Sequence, residues 1–98
     1  MGENTTINAS DEEKIKYMEF LDSRVGKNIT IAGIEYKIGA FLDVSGNISD
    51  IYLTSNTTKL YIRPSGTGPA IKIYVFGPRE TYLTEMKNVA EFMKNLKI

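Results

Sequence analysis

The stretch Leu60-Tyr61-Ile62-Arg63-Pro64-Ser65-Gly66-Thr67-Gly68-Pro69-Ala70-Ile71-Lys72-Ile73-Tyr74-Val75 decides the fold that this sequence predicts. On both sides of its centre, aliphatic residues alternate with charged or aromatic ones. A period of two is typical of strands that bury one face. The centre consists of Ser, Thr, Gly and Pro, the residues that favour turns. The stretch therefore predicts two antiparallel strands joined by a loop.

Helical patterns flank the strand region. Ser10-Asp11-Glu12-Glu13 has the form of a capping box, and Gly26 suits a left-handed helix end, so we predict a helix over residues 11–25. Its apolar stripe would consist of Ile15, Met18, Leu21 and Val25. A second helical stripe predicts a closing helix between Arg79 and Lys97, which Pro78 is well placed to open. Its members would be Leu83, Met86, Val89 or Ala90, Met93 and Leu96.

Between the helices lie short β-branched segments separated by turn residues. We predict strands at residues 28–32, 34–38, 48–54, 58–63 and 71–76, with 41–44 ambiguous. The connections are too short for parallel crossovers, so the sheet should be antiparallel. The predicted fold is α+β, a two-layer arrangement of a four- or five-stranded antiparallel sheet with both helices on one face. Residues 1–9 are polar and aperiodic and predict a tail or interdomain linker, which leaves residues 10–98 as one domain.

Composition restricts the chemistry. The chain has no Cys and no His, so it lacks thiolate nucleophiles, the usual transition-metal ligands and any side chain that titrates near neutrality unperturbed. Twelve basic residues balance twelve acidic ones, which argues against broad binding to nucleic acid or acidic membranes. No secretory signal or apolar membrane span is present, so we expect a cytoplasmic protein.

The loop between the two quoted strands carries groups suited to phosphate. Arg63 can donate paired, charge-assisted hydrogen bonds to phosphate oxygens. Gly66 and Gly68 permit backbone angles at which successive N–H groups point into one concavity, and Ser65 and Thr67 add hydroxyl donors. On spacing alone, a glycine-rich turn with a solvated arginine explains the same residues equally well.

A family resemblance favours the phosphate interpretation. Residues 58–76, with Arg63-Pro64-Ser65-Gly66-Thr67-Gly68-Pro69 followed by Ile71-Lys72-Ile73-Tyr74, closely resemble the C-terminal domain of the α-D-phosphohexomutases, the phosphoglucomutase and phosphomannomutase family. The family signature there is R-P-S-G-T-E-P followed by a strand. The resemblance is tight over about a fifth of the chain and extends to most of it in architecture. It departs at Gly68, where many members have Glu, and some phosphoglucomutases also read S-G-T-G.

The resemblance implies a fold likened to that of the TATA-binding protein and a place as the fourth domain of an isomerase that acts by intramolecular phosphotransfer. In such enzymes the first domain carries a phosphoserine, the second binds Mg²⁺, the third recognises the sugar, and the fourth holds the phosphate that is not being transferred. The implied contacts to a hexose phosphate are Arg63, Ser65, Gly66, Thr67 and Gly68. The implied partners are the other three mutase domains.

No serine loop, metal loop or sugar loop of that family occurs in these residues, so we expect no catalytic residue, metal ligand or cofactor in this chain. Mg²⁺ is expected only in the full-length enzyme. Asp43 and Asp50 are interpreted as solvated turn carboxylates, and the direction of Lys72, near the loop, stays open. An alternative function is a stand-alone module for another phosphorylated ligand. A nucleic-acid module is disfavoured by the neutral charge and by the expected lack of a basic, aromatic-rich sheet face.

Overall fold

The computed structural model describes residues 2–46, 48–66 and 68–96, with only the backbone of Ile48 and Ser49. The elements in these ranges are β1 Gly2–Asn8, α1 Asp11–Asp22, β2 Asn28–Ile31, β3 Ile34–Leu42, β4 Ile48–Thr54, β5 Lys59–Pro64, β6 Ala70–Phe76 and α2 Tyr82–Lys94. The strands form one antiparallel sheet in the order β1-β6-β5-β4-β3-β2. β1 and β2 lie at opposite edges of the sheet and are connected by α1. The strands β2 to β6 then follow one another across the sheet, and α2 comes after β6.

The predicted α+β class with an antiparallel sheet and two helices is confirmed, but the sheet has six strands rather than four or five. The additional strand is β1, which corrects the prediction that residues 1–9 form a tail or linker. Gly2–Asn8 pairs along its whole length with β6, and the Ala9 N–H continues the contact by donating to the Pro69 carbonyl at 2.8 Å. The ladder gives this polar segment hydrogen-bond partners, and Ile7 anchors it in the core.

The core lies between one face of the sheet and the two helices. Cross-strand register places alternate residues of the strands on this inner face, and these are buried: Ile7, Ile31, Tyr36, Ile38, Ile51, Leu53, Leu60, Ile62, Ile71, Ile73 and Val75. Residues of α1 and α2 belong to the same buried cluster, and Phe20 of α1 contacts Phe92 of α2 with ring centroids 6.3 Å apart. The other side chains of the strands project from the opposite face, which we call the open face.

Helix α1 begins as predicted and ends earlier. Both hydrogen bonds of the capping box are present, and the bonds from Ser10 hold the pKa of the Glu13 carboxyl below its usual value. The helix ends at Asp22, and a turn leads to Gly26, whose φ of 89° is the predicted left-handed conformation.

The predicted apolar stripe of α1 is half right. The predicted Leu21 is buried and the predicted Met18 packs against the core, but Ile15 is 59 % exposed and Val25 38 %, and Tyr17, which was not predicted, is buried. The inward stripe therefore runs through positions 14, 17, 18 and 21, which share a helix face. It places a lysine, Lys14, beside the sheet.

Helix α2 begins at Tyr82, later than the predicted Arg79, because the Pro78 carbonyl accepts the N–H groups of Thr81 and Tyr82 in a preceding turn. The predicted Met86, Val89, Ala90 and Met93 are buried, but Leu83 is 44 % exposed and Tyr82 is buried instead. The helix ends at Lys94 with Asn95 as its C-cap, earlier than the predicted Lys97, which itself lies outside the described residues. In the described ranges, neither helix has the length and apolar character needed to cross a membrane.

One carboxylate of α2 is buried against the sheet. Glu85 is 3 % exposed and accepts hydrogen bonds from the Tyr36 hydroxyl at 2.7 Å, from the Thr58 hydroxyl and, at 3.4 Å, from the Ser55 hydroxyl. Burial, and then the bond to Glu85, raise the pKa of Tyr36 above its ordinary value. The network ties α2 to β3 and to the turn between β4 and β5, at the end of the sheet away from the loop of residues 65–69.

Replacing Glu85 should cost more than a typical substitution. In Glu85→Ala the buried hydroxyls of Tyr36 and Thr58 lose their acceptor, so we expect a loss of about 2–4 kcal/mol in the free energy of unfolding. Glu85→Gln retains one acceptor oxygen and should lose less. Urea unfolding of both variants measures the difference; equal stability of Glu85→Ala and wild type would contradict the role of this network.

The hairpin between β2 and β3 turns through Ala32 and Gly33, so Ala32, which was predicted to end a strand, lies in the turn. Both residues have positive φ, 50° and 82°, as a two-residue type I′ turn requires. For alanine this conformation costs about 1–2 kcal/mol, because its Cβ crowds the backbone.

Relieving this strain should stabilise the protein. Ala32→Asn creates the Asn-Gly pair favoured in such turns, and we expect a gain of about 0.5–1 kcal/mol in the free energy of unfolding. Ala32→Val, with a β-branched side chain at the same angle, should destabilise. Urea unfolding compares the three proteins, and Ala32→Val as stable as Ala32→Asn would contradict the turn assignment.

Candidate functional site

The loop with the phosphate-binding pattern lies at the end of the β5–β6 hairpin, inside the sheet rather than at its edge. β5 is flanked by β4, and β6 is flanked by β1. The last strand pair is Pro64 with Ile71, and the Ser65 N–H donates to the Ala70 carbonyl at 2.9 Å. Because both strands are paired on both sides, the sheet gives the loop a fixed base.

Arg63 projects from the open face at the end of β5 and is paired with an aspartate on the neighbouring strand. Its Nε donates to one carboxylate oxygen of Asp50 at 2.9 Å, and its Nη2 donates to the other at 3.1 Å. Asp50 thus lies in β4 and forms an ion pair with the Arg63 guanidinium. This corrects its interpretation as a solvated turn carboxylate. The pairing raises the pKa of Arg63 above its already high value, so the guanidinium stays charged.

The geometry of the ion pair leaves one edge of the guanidinium available. Asp50 occupies the side edge, formed by Nε and Nη2. A guanidinium carries five N–H donors, and those on Nη1 and on the outer side of Nη2 bond to none of the described residues. Asp50 therefore orients Arg63 while leaving an edge that can donate to an anion. Lys72, directly opposite Arg63 on β6, shares the open face, which settles its direction.

Lys14 of α1 reaches the loop from the other side. Its Nζ donates to the Ser65 carbonyl at 2.9 Å and to the Gly68 carbonyl at 2.8 Å, and it forms an ion pair with Asp11 at 3.0 Å. The side chain is 12 % exposed. The loop is thus fastened to the helix layer through two of its backbone carbonyls.

The two glycines do not adopt the backbone angles that the sequence suggested. Neither Gly66 nor Gly68 has φ in the left-handed region, and the Ser65 N–H is already used in the hairpin. The described part of the loop is shaped by the bonds of Lys14 and of Ser65 instead of by successive left-handed turns. Thr67, also a predicted phosphate contact, lies outside the described residues.

The position of one loop N–H follows from these bonds. The peptide between Ser65 and Gly66 is trans, so its N–H and C=O point in opposite directions. Because the Ser65 carbonyl faces Lys14, the Gly66 N–H points away from α1, and it bonds to none of the described residues. Gly66 is exposed, and a Cβ added there would meet nothing within 4 Å. With respect to the residues that the structure describes, the site therefore combines an unbonded guanidinium edge, an unbonded backbone N–H and open space around Gly66.

The open face is aromatic, contrary to the sequence-based expectation. Tyr52, Tyr61 and Tyr74 lie side by side on β4, β5 and β6, with Phe41 and Phe76 adjacent. The rings pack on one another, mostly tilted or edge to face, with centroids 5.0 to 6.1 Å apart. The aromatic residues are visible in the sequence. That they form one row across three strands could not be predicted, because it depends on the register of strand pairing.

Lys59 covers part of this aromatic surface. Its Nζ lies 4.5 Å from the ring centroid of Tyr52 and 5.3 Å from those of Phe41 and Tyr61, within the range of cation–π attraction. The ring faces that a stacked ligand would use are thus shared with a side chain of the protein itself.

Comparisons with known proteins do not identify the chain. No protein-family model matches it, and no curated protein sequence matches it significantly. Within residues 2–46, 48–66 and 68–96, no group of three or more Asp, Glu, His or Cys side chains is arranged to hold a metal ion. The relation to the phosphohexomutases therefore stays a prediction, and the site is interpreted from its own geometry.

Two residues of the site were missed from the sequence, and each had a detectable signal. Asp50 is directly opposite Arg63 once Ile51 is aligned with Ile62, an alignment that the alternation of both strands permits. Lys14 starts a stripe with Tyr17 and Leu21 that fits a helical face as well as the stripe starting at Ile15. A buried ammonium group needs hydrogen-bond partners. A lysine on the core-facing side of a helix therefore predicts that oxygen acceptors lie within reach of its side chain.

Two glycine variants should separate loop conformation from packing. Gly66→Ala should change the free energy of unfolding by no more than about 0.5 kcal/mol, since the site is open and φ is not left-handed. In Gly39→Ala the new Cβ would lie 2.3 Å from the Tyr52 ring, so we expect a loss of about 1–3 kcal/mol. Thermal unfolding measures both, and a strongly destabilised Gly66→Ala would contradict the described loop.

Proposed function

We propose that this chain is the substrate phosphate-binding, cleft-closing domain of a phosphohexomutase of the phosphoglucomutase and phosphomannomutase kind. Its ligand is a hexose phosphate, and its partners are the other three domains of such an enzyme. As part of this proposal we infer that the two-layer fold is of the TATA-binding-protein-like type. The resemblance of residues 58–76 to the family signature is one support, and the geometry around Arg63 is the other.

The observation that carries the proposal is the side-on pairing of Arg63 with Asp50. An exposed ion pair of this kind adds little to stability, about 0–1 kcal/mol, so the folded state gains little from it. The ion pair instead holds the guanidinium in one orientation, in which its remaining edge can donate two hydrogen bonds to two oxygens of a phosphate. The Gly66 N–H lies on the same loop and points away from Lys14 of the helix layer.

In the proposed complex each group has a defined task. Arg63 donates paired hydrogen bonds to the phosphate that is not transferred, and the Gly66 N–H and the Ser65 hydroxyl add donors. Thr67 and Gly68 complete the set named by the family signature. Asp50 keeps the guanidinium in place, and Lys72 adds a positive charge on the same face. Holding the phosphate at one end orients the sugar, which lets a transfer reaction occur at its other end.

The chain is not proposed to catalyse a reaction alone. Closure of this domain over the substrate would exclude water and complete a site whose phosphoserine and sugar-binding groups lie in the other domains. The resemblance implies that the Mg²⁺ expected in the full-length enzyme is held by the second of those domains. Outside the complete enzyme, one loop supplies few contacts, so affinity for the sugar phosphate should be low.

Nucleic acid is not part of this proposal despite the aromatic open face. Base stacking needs accessible ring faces. Here Lys59 lies over three of the rings, and a net charge of zero supplies no concentrated positive field to hold a nucleic-acid backbone.

The proposal predicts that phosphate binding depends on the guanidinium fork of Arg63. We expect glucose 1-phosphate to shift the amide NMR signals of Ser65, Gly66 and Gly68 together and to saturate, with sulfate as a plain-anion comparison. Arg63→Ala should weaken the affinity at least about tenfold, and Arg63→Lys should restore only part of it, because a point charge lacks the paired donors.

The matched control is Arg79→Ala, which removes an exposed arginine from the connection before α2. It should leave the titration unchanged. Loop signals that do not respond to either anion in the folded wild-type protein, or equal affinities for wild type and Arg63→Ala, would contradict the proposed function. Responses to sulfate as strong as those to the sugar phosphate would instead point to a general anion site.

A further inference from the structure

The side chain of Lys14 does not extend into solvent, as a lysine on a surface helix usually does, but forms hydrogen bonds with the backbone of the loop. An ammonium group has three N–H donors, and the Nζ of Lys14 has three acceptors: the carbonyls of Ser65 and Gly68 and the carboxylate of Asp11. Two of these acceptors lie more than fifty positions away along the chain. A largely buried ammonium that is satisfied in this way is costly to remove: the Ser65 carbonyl then loses the donor described here, and the Gly68 carbonyl keeps only the Ala70 N–H, at 2.9 Å.

The bonds of Lys14 determine which polar groups of the loop face the open side. A carbonyl oxygen turned toward a bound phosphate would repel it, whereas an N–H attracts it. Lys14 draws the carbonyls on both sides of Gly66 and Thr67 toward α1. The peptide geometry then directs the Gly66 N–H outward, and Pro69, which follows the second carbonyl, has no N–H to direct.

We propose that Lys14 is a positioning residue of the phosphate loop: it holds the Ser65 and Gly68 carbonyls on the helix side and thereby presents the loop's donor side to the ligand. This inference rests on the proposed function for its ligand, but not for the structural role of Lys14. Lys14 touches the loop from behind and does not touch the ligand. Its charge also lies beneath the loop, where it favours a dianion over a monoanion.

Lys16 provides a matched control on the same helix. Its side chain is 49 % exposed and pairs only loosely with Glu12, at 3.9 Å. Lys14→Met and Lys16→Met remove the same charge from α1, but only the first removes the bonds to the loop. Both variants are compared with wild type for the free energy of unfolding, for amide hydrogen exchange at Ser65 and Ala70, and for affinity toward glucose 1-phosphate and inorganic phosphate.

We expect Lys14→Met to raise exchange at the Ser65 amide about tenfold relative to amides of β4 and to weaken phosphate affinity about fivefold or more. Lys16→Met should match wild type in both measurements. A general loss of stability would raise exchange throughout the sheet, whereas the proposed role concerns the loop alone.

A chemical rescue tests the ammonium itself and covers the case in which Lys14→Met fails to fold. Because the sequence contains no cysteine, Lys14→Cys can be alkylated at one site with bromoethylamine, which restores an ammonium at nearly the original length. Loop protection and phosphate affinity should return on alkylation of Lys14→Cys and should not return on alkylation with iodoacetamide, which adds no positive charge.

Wild-type exchange and wild-type affinity in Lys14→Met, or equal rescue by the two alkylating agents, would overturn the role of Lys14. A different result separates the two proposals. If wild type binds neither phosphate, the proposed function is lost and the ligand part of this inference with it. In that case a selective rise in loop exchange still shows that Lys14 holds the loop, and unchanged exchange overturns that part as well.

Discussion

In β6, the side chains of Ile71, Ile73 and Val75 have no exposed surface, and the burial of each contributes about 1.5–3 kcal/mol to folding. Strict alternation then places Lys72 and Tyr74 on the open face, and a slip of one residue would exchange the two sets. The same register sets β5 beside β6, ends their pairing at Pro64 and Ile71, and determines that Arg63 projects away from the helices. The position of the loop and the direction of its arginine therefore follow from a packing constraint.

Much of this architecture could be predicted because local signals agreed with the global fold. The alternation around the loop, the capping box at Ser10 and the left-handed Gly26 each pointed to the observed element. β1 could not be predicted in the same way, since most of its side chains are polar and its order comes from pairing with β6. An edge strand of this kind is specified by its neighbour more than by its own composition.

The site was predicted less completely than the fold, for a physical reason. The sequence names the groups that can bind phosphate, but their orientation depends on residues far away along the chain. Asp50 acts on Arg63 across a strand pair, and Lys14 acts on the loop from a helix whose inward face the apolar pattern predicted only in part. Such contacts become visible only when register and helix rotation are known, and they decide which backbone and guanidinium donors remain free.

The bond from the Ala9 N–H to the Pro69 carbonyl has a mechanical consequence. Together with the β1–β6 ladder and the Lys14 bonds, it joins three parts of the chain into one stiff unit: the first strand, the start of α1 and the loop. A displacement of Ser65, Gly68 or Pro69 relative to the first strand or to α1 would therefore have to break these bonds.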